Sequence, residues 1–397
     1  MKQAASANAA GLQPSLIRTV LDRGAALKAE GRPLISLSVG EPDFPTPAPI
    51  REAAKKALDD GWTHYGSNRG APGLRKIIAE QLEKSTGVSY DPAWEIIVTC
   101  GGAEALNNTI LAFVGEGDEV IIPTPAFVSY KNLTTLAGGV PVLIPLDPEK
   151  DFQPDLEEIA RHITPRTKMI ILNNPNNPTG AVYKREVLEK IAELAVRDDL
   201  LVLSDEMYSR LVYDGTEFVS MASFPGMKER TIIVNGFSKT YAMTGWRLGY
   251  LAAPKALADV IIKVHQYSTT CSPTFIQMGL AEALEDPETE KETCAMIERF
   301  AARRKLLLSL VSEVPKVRAV RPMGAFYLML DVSGTGLDGM TFAMRLLEEK
   351  YVATVPAVGL DEASGRFIRI SYAAAEESLK EGIARMKDFV NGQGGAV

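Results

Sequence analysis

Seven short apolar runs alternate with helical patterns along the middle of the chain. They lie at residues 96–98, 120–122, 142–144, 169–172, 201–203, 231–234 and 248–251. Such alternation is typical of a mostly parallel sheet covered by helices. The pattern therefore predicts an α/β fold with a mostly parallel seven-stranded sheet, in a large domain over residues 48–285.

The two ends of the chain predict a second, smaller domain. Its expected elements are a helix at 14–30, a strand at 34–39, a long charged helix at 288–311 and strands near 325–330 and 367–370. The proline-rich residues 42–49 look like a crossover between domains. We expect residues 14–47 and 286–397 to form this α+β domain, with residues 1–13 as an N-terminal arm and a disordered tail from Gly392.

A lysine lies in a glycine-flanked turn after the run at 231–234. Lys239 follows Gly236 and Ser238, and Arg247 is the nearby cation in sequence. Close to another cation, a lysine amine loses its proton more readily and can attack an aldehyde, which is the chemistry that pyridoxal phosphate requires. The alternative is an ordinary surface lysine, so the interpretation depends on partners elsewhere in the chain.

Polar residues follow two other predicted strands. Asp205 comes after the run at 201–203, and the carboxyl ends of parallel strands line a ligand crevice. A carboxylate there can keep a pyridinium nitrogen protonated, and Tyr208 is placed to reach a ring hydroxyl. The turn at residues 173–180 contains two Asn-Pro steps and brings amide groups to the same edge. Asp205 as a simple helix cap is the alternative.

These residues belong to an ordered series of motifs that resembles the class I/II pyridoxal-phosphate-dependent aminotransferases of fold type I. The resemblance covers nearly the whole chain. Its motifs are residues 37–44, Tyr65, residues 74–75, residues 99–106, residues 125–127, the Asn-Pro turn, Asp205, Tyr208, Lys239, Arg247 and Arg369. It implies an enzyme that uses pyridoxal 5′-phosphate to move the amino group of an L-amino acid to a 2-oxo acid in two half-reactions.

The resemblance also implies how the cofactor is held. Lys239 binds its aldehyde and then moves a proton, while Asp205 pairs with the ring nitrogen. The remaining cofactor contacts are Tyr208 and Asn177 at the ring oxygen, Phe127 on the ring face, the amides of Gly102, Ala103 and Glu104 with Arg247 at the phosphate, Ser238 as a further candidate there, and Tyr65 from a second subunit. The last contact implies a homodimer with shared active sites.

Substrate binding is implied at a second set of positions. Arg369 matches the arginine that grips the substrate carboxylate with a two-point fork, near Gly40, Phe127 and Asn177. Phe127 stands where many relatives have tryptophan. Gly236 stands where many have a serine, and Ala103 where some aspartate-preferring relatives have a lysine. We therefore expect neutral or aromatic amino acids to compete with aspartate.

Composition narrows the class of protein. The net charge is −7 and no basic cluster suggests a nucleic-acid partner. No apolar run approaches the roughly 18 residues of a bilayer span. The three cysteines favour a reducing cytoplasm, and the three histidines have no metal-ligand spacing. Two alternatives remain: a β-lyase or other elimination on the same cofactor, and a binding or regulatory protein that keeps the fold alone.

Overall fold

The computed structural model describes residues 6–12 and 16–392. Within these residues the α-helices are α1 (Ala7–Ala10), α2 (Leu16–Ala29), α3 (Ala48–Asp59), α4 (Pro72–Thr86), α5 (Gly102–Phe113), α6 (Ser129–Leu136), α7 (Leu156–Arg161), α8 (Arg185–Arg197), α9 (Lys255–Ser268), α10 (Thr274–Ala283), α11 (Pro287–Ser312), α12 (Gly339–Lys350) and α13 (Glu376–Gly392). The strands are β1 (Ile35–Ser36), β2 (Ile96–Thr99), β3 (Glu119–Thr124), β4 (Val140–Pro145), β5 (Thr167–Asn173), β6 (Leu201–Asp205), β7 (Thr231–Gly236), β8 (Gly249–Ala252), β9 (Arg318–Val320), β10 (Tyr327–Asp331), β11 (Val352–Ala353), β12 (Val355–Pro356) and β13 (Phe367–Ser371).

The predicted seven-stranded sheet is confirmed. Its strand order is β2-β8-β7-β6-β5-β3-β4, and only β8 runs antiparallel to its two neighbours. Strands β6 and β7 are buried almost throughout, because helices cover both faces of a mostly parallel sheet. This burial explains why the sequence shows continuous apolar runs rather than alternation. Asn173 and Asp205, the last residues of β5 and β6, are paired in register at one edge.

A second, antiparallel sheet has the order β12-β13-β10-β9, and β1 pairs in parallel with β11. One hydrophobic cluster joins Leu37 near the start of the chain to Phe342 and Phe389 near its end. The two ends of the chain therefore pack on each other. Strands β9, β11 and β12 were not predicted, because two or three residues are too few for a periodic pattern.

The first predicted strand is much shorter than expected. Residues 34–39 were expected to be extended, but β1 covers Ile35–Ser36 and the chain then turns. The carbonyl of Ser38 accepts a hydrogen bond from Arg369, and that of Gly40 accepts one from Lys239. Because these carbonyls accept hydrogen bonds from side chains and not from the backbone of a neighbouring strand, the pairing of β1 with β11 does not continue through residues 38–40.

The expected tail and arm are described only in part. Gly392 ends α13, and the rest of the expected tail lies outside the described residues. Residues 1–5 and 13 of the expected arm also lie outside them.

No helix in the described part of the chain is long and apolar enough to cross a bilayer. The same residues contain no group of His, Cys, Asp and Glu that could hold a metal ion, and all three cysteines are free.

Candidate active site

A cavity of about 590 Å³ opens at the carboxyl edge of β5 and β6. That location is where open α/β sheets bind ligands, and the volume suits a small-molecule site. The expected site residues that line it are Gly40, Gly102, Ala103, Phe127, Asn177, Asp205, Tyr208, Ser238, Lys239, Arg247 and Arg369. The fold thus brings together residues that are spread over more than 300 positions of the sequence. Tyr65 and Glu104 do not line the cavity.

Lys239 brings a buried amine to the cavity. Its Nζ donates to the Gly40 carbonyl oxygen at 2.6 Å. Burial lowers the pKa of Lys239 to about 8, and the positive charges of Arg369 and Arg247 act in the same direction against Glu41. About a tenth of the amine is therefore unprotonated at pH 7, a much larger fraction than for a lysine with its ordinary pKa, and the unprotonated amine is the state that attacks a carbonyl carbon.

Asp205 places a carboxylate at the bottom of the cavity. Tyr130 Oη donates to its Oδ2 at 2.6 Å, and the amide of Met207 donates to its Oδ1 at 3.1 Å. Burial raises the pKa of Asp205, so a bound cation would stabilise its ionised form. Tyr130 was missed by sequence reasoning. It lies three residues after Phe127, in the first turn of α6, and the two rings pack edge-on with centroids 5.7 Å apart.

Tyr208 contacts a second tyrosine that the sequence did not reveal. The hydroxyls of Tyr208 and Tyr327 are 2.9 Å apart, and both rings are buried. The Tyr327 ring lies 4.5 Å below the Arg369 guanidinium carbon, within the range of a cation–π contact. A Cβ at Gly40 would lie 2.6 Å from the Tyr327 hydroxyl, so the close packing here requires glycine. From the sequence, Tyr327 was interpreted only as part of a strand near residues 325–330.

Arg369 faces the cavity from β13. Its Nη1 donates to Asn177 Oδ1 at 3.1 Å and its Nη2 to the Ser38 carbonyl at 2.8 Å. Its Nε is buried and has no hydrogen-bond partner among the described residues. Burial lowers the pKa of Arg369, since few neighbours compensate its charge. A bound carboxylate would supply that compensation.

The turn before α5 forms a site suited to an anion. Gly101 has a φ of +83°, and a Cβ there would lie 2.6 Å from Arg247 Nη2. The amides of Gly102 and Ala103 begin the helix and have no acceptor among the described residues. Free amides at a helix N-terminus favour an anion, and Arg247 adds a full positive charge. The amide of Glu104 instead donates to the Gly101 carbonyl at 3.2 Å.

The Glu104 side chain points away from the cavity and stabilises the turn at residues 101–103, called the anion turn below, from the side that faces the protein interior. Its carboxylate accepts from the Cys100 amide at 2.5 Å, Asn108 Nδ2 at 2.9 Å and Thr269 Oγ1 at 2.7 Å, and lies 2.8 Å from His265 Nδ1. Burial alone would raise its pKa, but the hydrogen bonds from His265, the Cys100 amide and Thr269 lower it to about 2. The sequence-based prediction for Glu104 concerned only its backbone amide, as a contact to the phosphate.

Removing this carboxylate should lower stability in a pH-dependent way. Because the folded-state pKa lies below the usual 4.5, ionised Glu104 stabilises the fold above pH 4.5, and this contribution is lost as the pH falls toward 2. The pKa difference corresponds to about 3 kcal/mol. Glu104→Gln should therefore reduce the free energy of urea unfolding at pH 7, with a smaller reduction at pH 3. Glu116→Gln, at an exposed position, is the control, and equal reductions at both pH values would contradict the assignment.

Tyr65 lies on the surface of the single chain. It is 87% exposed and belongs to the segment between α3 and α4. The segment is held in place, because Asn68 Nδ2 donates to the Thr270 carbonyl at 2.6 Å and the Gly66 amide to Cys271 Sγ at 3.4 Å. An aromatic ring this exposed on an anchored segment is available for contact with another molecule.

The donor and acceptor set of the cavity fits pyridoxal phosphate. Free amides and Arg247 suit its phosphate, the Asp205 carboxylate suits its ring nitrogen, and Lys239 suits its aldehyde. The unpartnered Arg369 Nε leaves a hydrogen-bond donor free for the carboxylate of an amino acid. The chemistry of the residues thus matches the cofactor at one end and its substrate at the other.

Comparison with known proteins agrees with this geometry. The family model for class I and II aminotransferases matches residues 32–386. The aspartate aminotransferase of Pyrococcus abyssi is 46% identical over 95% of each chain, and aromatic-amino-acid aminotransferase 2 of Thermococcus litoralis is 42% identical over 95% of each. The solved aromatic aminotransferase of Pyrococcus horikoshii superposes with a TM-score of 0.89 at 44% identity, covering 94% of this chain and 99% of its own.

The chain belongs to the class I and II aminotransferase family. It is an aminotransferase that depends on pyridoxal phosphate and has the fold type I architecture. The sequence-based predictions of family, fold class, enzyme class and cofactor are confirmed.

Proposed function

We propose that the cavity binds pyridoxal phosphate and an L-amino acid together, with the residues in the roles that the resemblance implies. The observation that carries this proposal is the convergence of Lys239, Asp205 and Arg369 on one cavity, with Lys239 held at a pKa of about 8. When bound, the cofactor withdraws electrons from the α-carbon of the amino acid. The Lys239 amine would move the proton that this carbon loses, acting first as the base and then as the acid.

The other residues of the cavity orient the substrate and stabilise the bound cofactor. Arg369 and Asn177 hold the α-carboxylate, which fixes the α-carbon beside Lys239. Asp205 stays ionised against the ring nitrogen with the support of Tyr130, and Tyr208 hydrogen-bonds the ring oxygen. Phe127 covers the ring, and Gly40 leaves space for the carboxylate. The anion turn, Ala103 and Gly102 with Arg247 and Ser238, holds the phosphate.

The remaining proposals concern assembly. We propose a homodimer in which exposed Tyr65 reaches the phosphate of the partner subunit, because nothing in the described part of the chain covers that ring. A large cofactor domain over residues 48–285 and a small domain over residues 14–47 and 286–397 are supported by the sheets, because the seven-stranded sheet lies within the first range and the strands of both smaller sheets lie within the second. The three free cysteines support a cytoplasmic location.

The names of the relatives suggest the substrates. The two curated relatives above are an aspartate and an aromatic-amino-acid aminotransferase. We propose that this enzyme takes aspartate and aromatic amino acids as amino donors and a 2-oxo acid as acceptor. Apolar lining residues such as Ile17, Leu21 and Leu360 can accommodate an aromatic ring.

A half-reaction experiment tests the proposal. The loaded enzyme is mixed with one L-amino acid and no oxo acid, and absorbance follows conversion of the cofactor to its amine form. We expect one equivalent of 2-oxo acid per active site and then arrest, because the second half-reaction needs an acceptor. Continuous release of ammonia and an oxo acid without an acceptor would instead support the β-lyase alternative.

A further inference from the structure

Helix α2 is firmly docked on the small domain by one of its faces. Val20 and Leu27 are buried in a cluster with Leu347 and Ala353. Arg23 on the same helix donates from Nε and Nη2 to the two carboxylate oxygens of Glu348 on α12, at 2.5 and 2.9 Å. The helix therefore has a fixed orientation toward the rest of the chain.

A second face of α2 closes one side of the active-site cavity. Ile17, Arg18 and Leu21 line it, and Leu21 lies beside both of the others because it is four residues after Ile17 and three after Arg18. Arg18 is exposed as well as cavity-lining, which places it at the mouth rather than at the bottom. An arginine is thus presented at the solvent side of the site.

Arg18 has no salt bridge and no hydrogen bond to any residue in the described ranges. Asp22, one helical turn further, is the nearest acid along the helix, yet no ion pair within 4.0 Å joins them. This contrasts with Arg23, which is engaged by both Glu30 and Glu348. The guanidinium of Arg18 is therefore available to a ligand.

The charges of the cavity leave Arg18 without a task in the proposed function. The lining residues include four cations, Arg18, Lys239, Arg247 and Arg369, and one acid, Asp205. Arg247 serves the phosphate, Arg369 the α-carboxylate and Lys239 the aldehyde. A negatively charged ligand group that extends from the α-carbon toward the mouth would therefore give Arg18 a partner.

We propose that Arg18 binds the second carboxylate of dicarboxylic substrates, such as aspartate or a dicarboxylic 2-oxo acid, and so determines specificity within the same chain. The proposal rests on the proposed function, since it places the α-carboxylate at Arg369. It also explains how a site with Ala103 in place of a lysine accepts a dicarboxylate. The apolar neighbours Ile17 and Leu21 leave the same space usable by an aromatic side chain.

The test measures specificity as a ratio. In Arg18→Met, which keeps an unbranched side chain but removes the guanidinium and its charge, the kcat/KM for aspartate relative to phenylalanine should fall about 5- to 30-fold. Arg18→Lys should recover part of the ratio. Calorimetry with succinate, which cannot be transaminated, should show weaker binding to the loaded Arg18→Met enzyme, most clearly at low salt.

Arg23→Met is the matched control, because it weakens docking of the same helix without removing a cavity charge. Arg23→Met should lower kcat/KM for aspartate and for phenylalanine by the same factor, so the ratio should not change. An unchanged ratio in Arg18→Met, or the same ratio shift in both variants, would overturn the proposal. The succinate measurement reports on the subsite separately from catalysis. Failure of the wild type to transaminate would count against the proposed function. Equal succinate affinity in the wild type and Arg18→Met would count against the proposed role of Arg18.

Discussion

Replacing Lys239 with alanine is expected to lower kcat by at least about 10⁴-fold. The substitution removes the nucleophile that binds the aldehyde and the group that moves the substrate proton, and the second role alone contributes roughly 10²–10⁴-fold. The fold should be retained, because Lys239 Nζ makes a hydrogen bond only to the Gly40 carbonyl among the described residues and its burial disfavours its charge.

Visible absorption and thermal unfolding check this expectation. Purified wild-type enzyme should be yellow, whereas Lys239→Ala should lack the band of lysine-bound cofactor and unfold at a similar temperature. Lys263→Ala, at an exposed position on α9, is the control and should resemble the wild type in both measurements. Retention of more than a few per cent of kcat in Lys239→Ala, or a wild type that stays colourless with added pyridoxal phosphate, would refute the catalytic assignment.

The sheet was predictable because its signal is local. Strands such as β6 are short, apolar and buried on both faces, so their sequence differs clearly from the amphipathic helices between them. The strands contributed by the two ends of the chain were harder to predict. Strands β11 and β12 have two residues each and depend on distant partners, β1 and β13, that no local pattern indicates.

The candidate site was predictable where a residue carries its own chemistry at a strand end, as Lys239 and Asp205 do. It was not predictable where a residue acts through a contact. Tyr130 and Tyr327 matter because they lie 2.6 Å from Asp205 Oδ2 and 2.9 Å from the Tyr208 hydroxyl, and these contacts span 75 and 119 positions. A tyrosine in a core helix or strand gives no sign of such a partner in the sequence.

Glu104 and Arg18 show two further limits of reading the sequence. Glu104 belongs to the expected phosphate motif, but its carboxylate faces His265 and Thr269, because the helix that begins at Gly102 directs it backward from the cavity. Arg18 lies in an amphipathic helix and resembles any solvated arginine. Its location at the cavity follows from the docking of α2 against α12, which is a tertiary contact.

Replacing Arg369 with alanine is expected to lower kcat/KM for amino acids about 10³-fold. The guanidinium is buried, and it is held in a fixed fork by Asn177 and the Ser38 carbonyl, so a substrate carboxylate meets it without reorganisation. Without it, that carboxylate would be buried unpaired, which costs about 3–5 kcal/mol. Arg369→Lys should lose only about 10- to 100-fold, since it keeps a point charge but not the two-point geometry.

Cofactor affinity separates this role from a structural one. The anion turn at Gly102 and Ala103 lies at the start of α5, whereas Arg369 lies on β13 in the four-stranded sheet. Both Arg369 variants should therefore retain the cofactor nearly as well as the wild type. Arg366→Ala, three residues earlier on the chain, removes a half-exposed arginine that pairs with Asp331 and should leave kcat/KM almost unchanged. If Arg369→Ala released the cofactor or unfolded at a much lower temperature while Arg369→Lys recovered no activity, the arginine would be a support of the fold, and another cation would have to hold the substrate.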